Sequence, residues 1–248
     1  PLHRVLNGYR SSSGLRPYGS PDDSFSPFAQ ITQLVREFDF PRKRLPDCFH
    51  YVGPYRREPE REVSFPFERL DGRPIIYASL GTVFGSRTEI WNAIVEGCRG
   101  LDAQLVIALG GSGRAQSLTK LPANAIVADY APQCELLKRA SLAITHGGLN
   151  SVMEALAAGV PPLAIPITGD QFGVAARIAY TGVGEIVPAA KCTGSRIGAA
   201  ARKILSRSTY REREAVIGAA IQRTQGAVSA ASIIEEVVAT RRDPVLVS

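Results

Sequence analysis

The sequence lacks the features of several protein classes. In its 248 residues no apolar run approaches the ~20 residues of a membrane-spanning helix, so we expect no transmembrane segment. The four cysteines are Cys48, Cys98, Cys134 and Cys192. They form no Cys-x-x-Cys pair and have no histidine at metal-ligand spacing, which predicts reduced, buried thiols, no metal site and a cytoplasmic protein. Because Pro1 is followed by no charged-then-apolar leader, we expect no signal peptide and a fragment or processed product.

Patterned basic charge is also absent. The formal net charge is +6, but the Lys and Arg residues are scattered or form brief clusters, such as Arg42–Arg44 and Arg56-Arg57. A nucleic-acid-binding surface typically shows a basic stripe or interleaved aromatics, so we expect no nucleic-acid partner. A mildly basic surface suits anionic ligands or lipid headgroups, and it leaves peripheral attachment to a membrane as an option.

Two regions of the chain differ in composition. The first, to about Arg69, is rich in Pro, Arg, Ser and aromatics and shows little periodicity. Within it, Ser11–Gly14 indicates a loop and Ile31–Phe38 a short helix or strand, while the three prolines of Pro54–Pro66 favour a linker. We therefore predict an amino-terminal segment over residues 1–53, a linker over 54–73 and a domain over 74–242.

From Pro74 onward, apolar segments of strand length alternate with amphipathic segments of helix length. Strands that are apolar on both faces and separated by helices are typical of a parallel sheet covered on each side. We predict an α/β fold with a doubly wound parallel sheet, which binds ligands beyond the carboxyl ends of its strands. The predicted strands are Ile75–Leu80, Gln104–Leu109, Ala125–Asp129, Leu142–Thr145, Pro162–Ile165 and Gly184–Val187. The predicted helices are Thr88–Cys98, Pro132–Arg139, Leu149–Ala158, Gln171–Tyr180, Gly194–Leu205, Tyr210–Thr224 and Ser229–Thr240.

Four turns rich in glycine and hydrogen-bonding side chains follow these strands: Ser79–Thr82, Tyr130–Gln133, His146–Ser151 and Pro166–Gln171. Turns after parallel strands share one sheet edge, so this edge is a candidate ligand site.

The His146–Ser151 turn carries the most specific pattern. Gly147 and Gly148 let the backbone approach a ligand closely, and Asn150 and Ser151 open a helix whose free N–H groups attract phosphate. His146 stands at the mouth of the turn and can donate a hydrogen bond to a diphosphate oxygen.

Structural roles are alternatives at the same positions. Ser151 and Glu154 form the pattern of a capping box, so Glu154 could bond back to the helix start. His146 could be a buried structural histidine, Tyr130 a core aromatic and Asp170 a helix N-cap.

The segment Tyr130–Gln171 closely resembles the donor-binding signature of UDP-dependent glycosyltransferases built from two Rossmann-like domains. That signature runs W-x-P-Q, then T-H-x-G-x-N-S-x-x-E, then G-V-P, P and D-Q. The turn Ser79–Thr82 also matches the family's usual first turn. Segments such as FHYVGPYR and AIPITGDQFGVAARI look most like bacterial carotenoid glucosyltransferases. The resemblance implies a Rossmann-like carboxyl-terminal donor domain preceded by a remnant of the acceptor domain over residues 1–53.

The resemblance also implies a role for each matching position. Tyr130 would stack on the nucleotide base, with Gln133 near the base or ribose and Glu154 accepting from the ribose hydroxyls. The helix start would hold the diphosphate, the turn before Gln171 would bind the sugar, and the first turn would lie near the phosphates or the acceptor. The implied donor-binding residues are Ser79, Gly81, Thr82, Tyr130, Gln133, His146, Gly148, Asn150, Ser151, Glu154, Asp170 and Gln171.

The sequence departs from the family pattern at two places. Leu149 replaces a Trp common in plant members, which leaves the identity of the sugar open. The loop Gly110–Arg114 lacks the Gly-Lys-Ser/Thr ending of a P-loop, so we interpret it as a mobile loop or, through Arg114, a neighbour of the diphosphate.

Catalysis by the family uses a His base near the start of the acceptor domain. His3, His50 and His146 do not fit that role, so no catalytic residue is assigned. We expect the chain to bind a UDP-sugar, which the resemblance implies is UDP-glucose, but to transfer it poorly. The implied acceptor is a small, hydroxylated, lipid-like molecule; UDP and TDP are not distinguished, and no metal or cofactor is expected.

The same sequence features allow two other functions and argue against a third. The chain could be a soluble donor-binding subunit that needs a partner in trans, the missing acceptor domain then being a separate chain. It could be a relative of the UDP-sugar epimerases. An oxidoreductase is disfavoured because no G-x-G-x-x-G follows the first strand.

Overall fold

The computed structural model describes residues 2–55 and 63–240. Two parallel sheets and eight α-helices occur within these ranges. The strands are β1 (Gln30–Thr32), β2 (Phe49–Tyr51), β3 (Ile75–Ser79), β4 (Gln104–Ala108), β5 (Ile126–Ala128), β6 (Ala140–Thr145), β7 (Pro162–Ala164) and β8 (Glu185–Ile186). The helices are α1 (Leu2–Ser12), α2 (Thr88–Cys98), α3 (Gln133–Leu137), α4 (Leu149–Ala157), α5 (Gln171–Thr181), α6 (Gly194–Ser206), α7 (Ser208–Gln222) and α8 (Gly226–Thr240).

The main sheet has six parallel strands in the order β5-β4-β3-β6-β7-β8. The chain winds outward from β3 to β5, returns to the centre at β6 and winds the other way, so the sheet is doubly wound as predicted. The order reverses between β3 and β6, and a crevice opens at such a switch point. Ser79 pairs with both Ala108 and Thr145, so the turns after these three strands emerge side by side.

Alternate residues of the strands pack against helices on opposite faces of the sheet. On one face, Ile76 and Ala78 join a buried cluster with Trp91 of α2 and residues of α6. On the other face, Ile75 and Tyr77 pack with residues of α3 and α4. All five residues of β3 are buried, which explains the continuous apolar runs read from the sequence.

All predicted strands and helices of the carboxyl-terminal domain are present, with shifted ends. The strand-end residues Leu80, Leu109 and Asp129 belong to turns instead. Leu109 N–H still donates to the Ala128 carbonyl at 2.9 Å, so the chain leaves β4 gradually and periodicity does not mark where the strand ends.

The amino-terminal segment has more structure than its composition suggested. Helix α1 includes Ser11 and Ser12, so the predicted loop is wrong for these two residues. The Ser12 hydroxyl donates to the Tyr9 carbonyl at 2.9 Å in the last turn of the helix. Of the predicted Ile31–Phe38 element, Ile31 lies in β1 and Phe38 ends a 3-10 turn. Phe38 is fully buried in a cluster with residues of α4, α5 and α7, so this segment packs on the main domain.

The predicted linker lies only partly within the described residues, because residues 56–62 are outside them. Phe65 is buried against Ile75 and Tyr77, so its part of the linker is packed on the sheet. The domain limits stay a prediction.

The four cysteines are free thiols, and only Cys98 is buried; the predicted burial is wrong for the other three, which lie half-buried near the surface. Among the described residues, no helix has the length and apolar character needed to cross a bilayer.

Candidate nucleotide-binding site

A cleft of about 500 Å³ opens at the switch point between β3 and β6. Its walls are the turn after β3, the turn after β6 and the starts of α4 and α5, so elements far apart in sequence meet there. The predicted site residues that line it are Gly81, Thr82, His146, Gly148, Asn150, Ser151 and Asp170.

The imidazole of His146 is wedged between two glycines. A Cβ atom on Gly81 would lie 2.9 Å from His146 Cε1, and a Cβ on Gly148 would lie 2.5 Å from Nε2. Real Cβ atoms do not approach so closely, so any other residue at either position would displace the ring. Gly81 also has a φ of 71°, which favours glycine. The two turns therefore hold the ring in one place at the cleft wall.

Burial lowers the pKa of His146 below its ordinary value, although the charge of Asp170 and a hydrogen bond with the Ser79 backbone oppose that shift. The ring is therefore neutral near pH 7. The Thr145 hydroxyl also lies 3.4 Å from His146 Nδ1. A neutral imidazole carries one N–H donor and a protonated one carries two. An anion in the cleft would favour the protonated form, because opposite charges stabilise each other.

Helix α4 presents its free end to the cleft. The helix begins at Leu149, and its first intrahelical bond runs from Val152 N–H to Gly148 O at 3.1 Å. The N–H groups of Leu149, Asn150 and Ser151 precede that bond and have no acceptor within the helix. Together with the positive end of the helix dipole they form an anion-binding arrangement.

The capping-box alternative is wrong. Ser151 is the third residue of α4 and not its N-cap, and the carboxylate of Glu154 instead accepts a hydrogen bond from Gln133 Nε2. Gln133 Oε1 in turn accepts from the Tyr77 hydroxyl at 3.1 Å. Ser151 lines both the cleft and a small cavity beside Gln133, so the predicted ribose residues lie next to the predicted diphosphate residues.

Asp170 holds the N-cap position of α5, as the alternative interpretation supposed. Among the described residues, however, its carboxylate caps no helix N–H, and it lines the cleft. It is exposed there and can accept hydrogen bonds from ligand hydroxyls.

Tyr130 is not a core aromatic, since 51% of its surface is exposed. Its hydroxyl rests on the glycine loop, where a Cβ on Gly111 would lie 2.1 Å away. A Cβ on Gly110 would likewise lie 2.3 Å from the Gly81 carbonyl oxygen, so the loop packs closely on the first turn. Arg114 is exposed and is outside the set of described residues that line the cleft.

Ser79 and Gln171 are buried beneath the cleft. Ser79 Oγ accepts from Gly81 N–H at 3.3 Å, and Gln171 Oε1 accepts from the N–H groups of Ile167 at 2.8 Å and Thr168 at 3.0 Å. Both side chains shape the turns that form the cleft wall. Their predicted ligand contacts stay a prediction.

Comparison with known proteins identifies the family. Residues 92–238 match the family described as erythromycin biosynthesis protein CIII-like, C-terminal domain. The zeaxanthin glucosyltransferase of Pantoea ananas is 40% identical, with 98% of this chain and 57% of that protein covered. The zeaxanthin glucosyltransferase of Pseudescherichia vulneris is 37% identical, with 88% of this chain and 52% of that protein covered. The chain belongs to this glycosyltransferase family.

A solved structure of the calicheamicin glycosyltransferase CalG4 extends the similarity to the fold. Its TM-score is 0.78 at 25% identity, with 96% of this chain and 61% of that chain covered. The predicted resemblance and the Rossmann-like fold of a two-domain glycosyltransferase are confirmed. The chain spans little more than half the length of the two zeaxanthin glucosyltransferases.

Five residues outside the predicted donor-binding set also line the cleft: Gln33, Leu80, Val83, Phe84 and Leu149. Leu80 and Leu149 lie within the predicted turns, whereas the other three lie outside them. The Phe84 ring lies 5.9 Å from the His146 ring, centroid to centroid. Val83 and Phe84 directly follow the predicted first turn, so extending that turn would have found them. Gln33 precedes the predicted linker, and no local pattern marks it.

Proposed function

We propose that this domain binds a nucleoside diphosphate sugar, specifically UDP-glucose. Its diphosphate lies against the start of α4, and the base lies on Tyr130. The observation that carries the proposal is the wedged His146 beside the free N–H groups of Asn150 and Ser151, all lining one cleft. Two or three charge-assisted hydrogen bonds there would each be worth roughly 1.5–3 kcal/mol.

The remaining predicted residues fit the rest of such a ligand. The Gln133–Glu154 pair lies beside Ser151, where a ribose joined to the diphosphate would fall. The Asp170 carboxylate, at the other helix start, is available to the sugar hydroxyls.

We further propose that the donor serves inverting transfer. A hydroxyl oxygen of a small, apolar acceptor attacks the anomeric carbon as the bond to the diphosphate breaks, and a base takes the hydroxyl proton. His3 lies in α1 and His50 in β2, both outside the residues that line the cleft, while His146 serves the donor. We therefore propose that the base comes from an acceptor domain, either joined to this domain in cis or carried by a partner chain.

The comparisons favour a transferase over the epimerase alternative. Both quoted relatives are named glucosyltransferases, and the matching family is that of a glycosyltransferase domain. Incubation of the purified chain with the nucleotide sugar in the absence of acceptor checks this point. Appearance of an epimerised sugar would contradict the proposal.

Thermal melting with UDP, TDP, ADP and UDP-glucose tests donor binding. A ligand at about 100 times its dissociation constant should add roughly 2.7 kcal/mol to the free energy of unfolding. We expect UDP and UDP-glucose to raise the melting temperature more than ADP does. We also expect EDTA to leave the shift unchanged, since the proposed contacts are all made by protein groups. An equal shift with ADP would contradict the proposed base preference.

A further inference from the structure

One wall of the cleft comes from the amino-terminal segment. Gln33 directly follows β1 and lines the same cleft as Thr82, His146 and Asp170. The donor-binding signature ends at Gln171 and begins at Tyr130, so Gln33 lies outside it.

The orientation of the Gln33 carboxamide follows from its partner. The backbone N–H of Tyr55 donates to Gln33 Oε1 at 3.2 Å. An N–H group can be accepted only by the oxygen of the carboxamide, so Tyr55 uses one of the two lone pairs of Oε1. This bond fixes which end of the carboxamide is the NH₂ group, and its two N–H groups can donate to a ligand in the cleft.

The segment that carries Gln33 is firmly attached to the helices of the site. Leu34 and Val35 are buried in one cluster with residues of α4 and α5. Six residues after Gln33, the buried Asp39 carboxylate accepts from Arg177 of α5 at 2.8 Å and from the Tyr51 hydroxyl at 2.7 Å. Because α5 begins next to Asp170, Gln33 is held at a set distance from the cleft-facing end of that helix.

We propose that Gln33 is a donor-binding residue whose NH₂ group donates a hydrogen bond to an oxygen of the nucleotide sugar bound in this cleft. The inference rests on the proposed function and extends the donor site across the predicted domain boundary. The acceptor atom is an oxygen of the diphosphate or of the sugar, and both offer the lone pairs that an NH₂ group needs.

Gln33→Glu is the most specific substitution for testing the NH₂ group. A carboxylate oxygen still accepts from Tyr55 N–H, so the local fold contact is kept, while the NH₂ group is replaced by a negatively charged oxygen. We expect the dissociation constant for UDP-glucose to rise about 10- to 100-fold. Gln33→Ala removes the donor without adding charge and is expected to raise it roughly three- to tenfold.

Gln30→Glu is the matched control. Gln30 lies in β1, and its Nε2 donates to the Ser26 carbonyl at 3.0 Å, away from the cleft. The change of charge is the same at three residues' distance, so a general electrostatic effect would appear in both variants. Circular dichroism and the melting temperature without ligand check that each variant is folded.

Isothermal titration with UDP and with UDP-glucose distinguishes the outcomes. If the Gln33 variants lose affinity for both ligands, the inference is supported and the hydrogen bond lies on the diphosphate. If they lose affinity for UDP-glucose alone, the inference is supported and the bond lies on the sugar. Equal losses in Gln33→Glu and Gln30→Glu, or unchanged binding in both Gln33 variants, would overturn the inference alone. If the unmodified chain binds neither ligand, the proposed function fails and the inference fails with it.

Discussion

Replacing Gly148 by alanine is expected to weaken nucleotide binding by displacing the His146 ring. Gly148 has φ −62° and ψ 137°, which any residue can adopt, so the substitution adds no backbone strain. Its only direct consequence is a methyl group 2.5 Å from His146 Nε2. Relief of this contact requires the ring to move by roughly 1 Å, since ordinary contacts between heavy atoms lie near 3.5 Å.

Gly148→Ala is expected to have two separate effects, one on folding stability and one on nucleotide affinity. Overpacking of this kind costs about 1–3 kcal/mol of folding free energy. A displaced ring also loses its charge-assisted hydrogen bond to the diphosphate, which corresponds to a rise of about 10- to 100-fold in the dissociation constant. Alanine substitution of His146 itself should cause a loss of similar size.

A double-mutant cycle separates this effect from others. UDP binding is measured by isothermal titration for the unmodified chain, Gly148→Ala, His146→Ala and the double variant. When the ring is absent, the alanine at position 148 has nothing to displace, so the double variant should bind about as well as His146→Ala. Gly173→Ala in α5 is the control, because its Cβ would meet only the end of the Arg177 side chain at 3.6 Å.

Two results would refute this reasoning. The first is unchanged UDP affinity in Gly148→Ala. The second is an equal loss from Gly148→Ala with and without the His146 ring, which would assign the effect to the backbone of the turn.

Other predictions concern protons and stability. Nucleotide affinity should rise as the pH falls from about 8 to about 6, because burial lowers the pKa of His146 and the bound diphosphate favours the protonated ring. Binding titrations in buffers of different ionisation enthalpy should then detect proton uptake by the complex. This uptake should decrease in His146→Ala. Glu214 is 3% exposed, and burial raises its pKa from 4.5 to about 7, so stability falls as the pH rises through that window. Glu214→Gln should therefore raise the free energy of unfolding at about pH 8 by up to about 3 kcal/mol, measured by urea titration. A decrease in the free energy of unfolding at that pH would contradict burial as the cause of the raised Glu214 pKa.

The sequence predicts the main sheet well because its strands are buried on both faces and its helices are amphipathic. The continuous apolar run Ile75–Ser79 reflects two packed faces, and the turns fall where glycine and polar residues replace that pattern. The amino-terminal segment escapes such prediction because its two strands are short and only half-buried, so they show neither a continuous apolar run nor a clear period.

Within the candidate site, the sequence predicts the helix start and the glycine turns but not how the side chains are partnered. Glu154 matches a capping box equally well in the sequence, and two structural facts decide against it: α4 begins two residues before Ser151, and Gln133 of α3 donates to the Glu154 carboxylate. Gln33 cannot be predicted from its surroundings, because a segment far away in sequence supplies the rest of the cleft.

A crystal structure of the chain soaked with UDP tests the central claim most directly. We predict diphosphate oxygens within hydrogen-bonding distance of His146 and of the backbone N–H groups of Asn150 and Ser151, with the uracil ring on Tyr130. Nucleotide bound elsewhere, with this cleft empty or closed, would contradict the account.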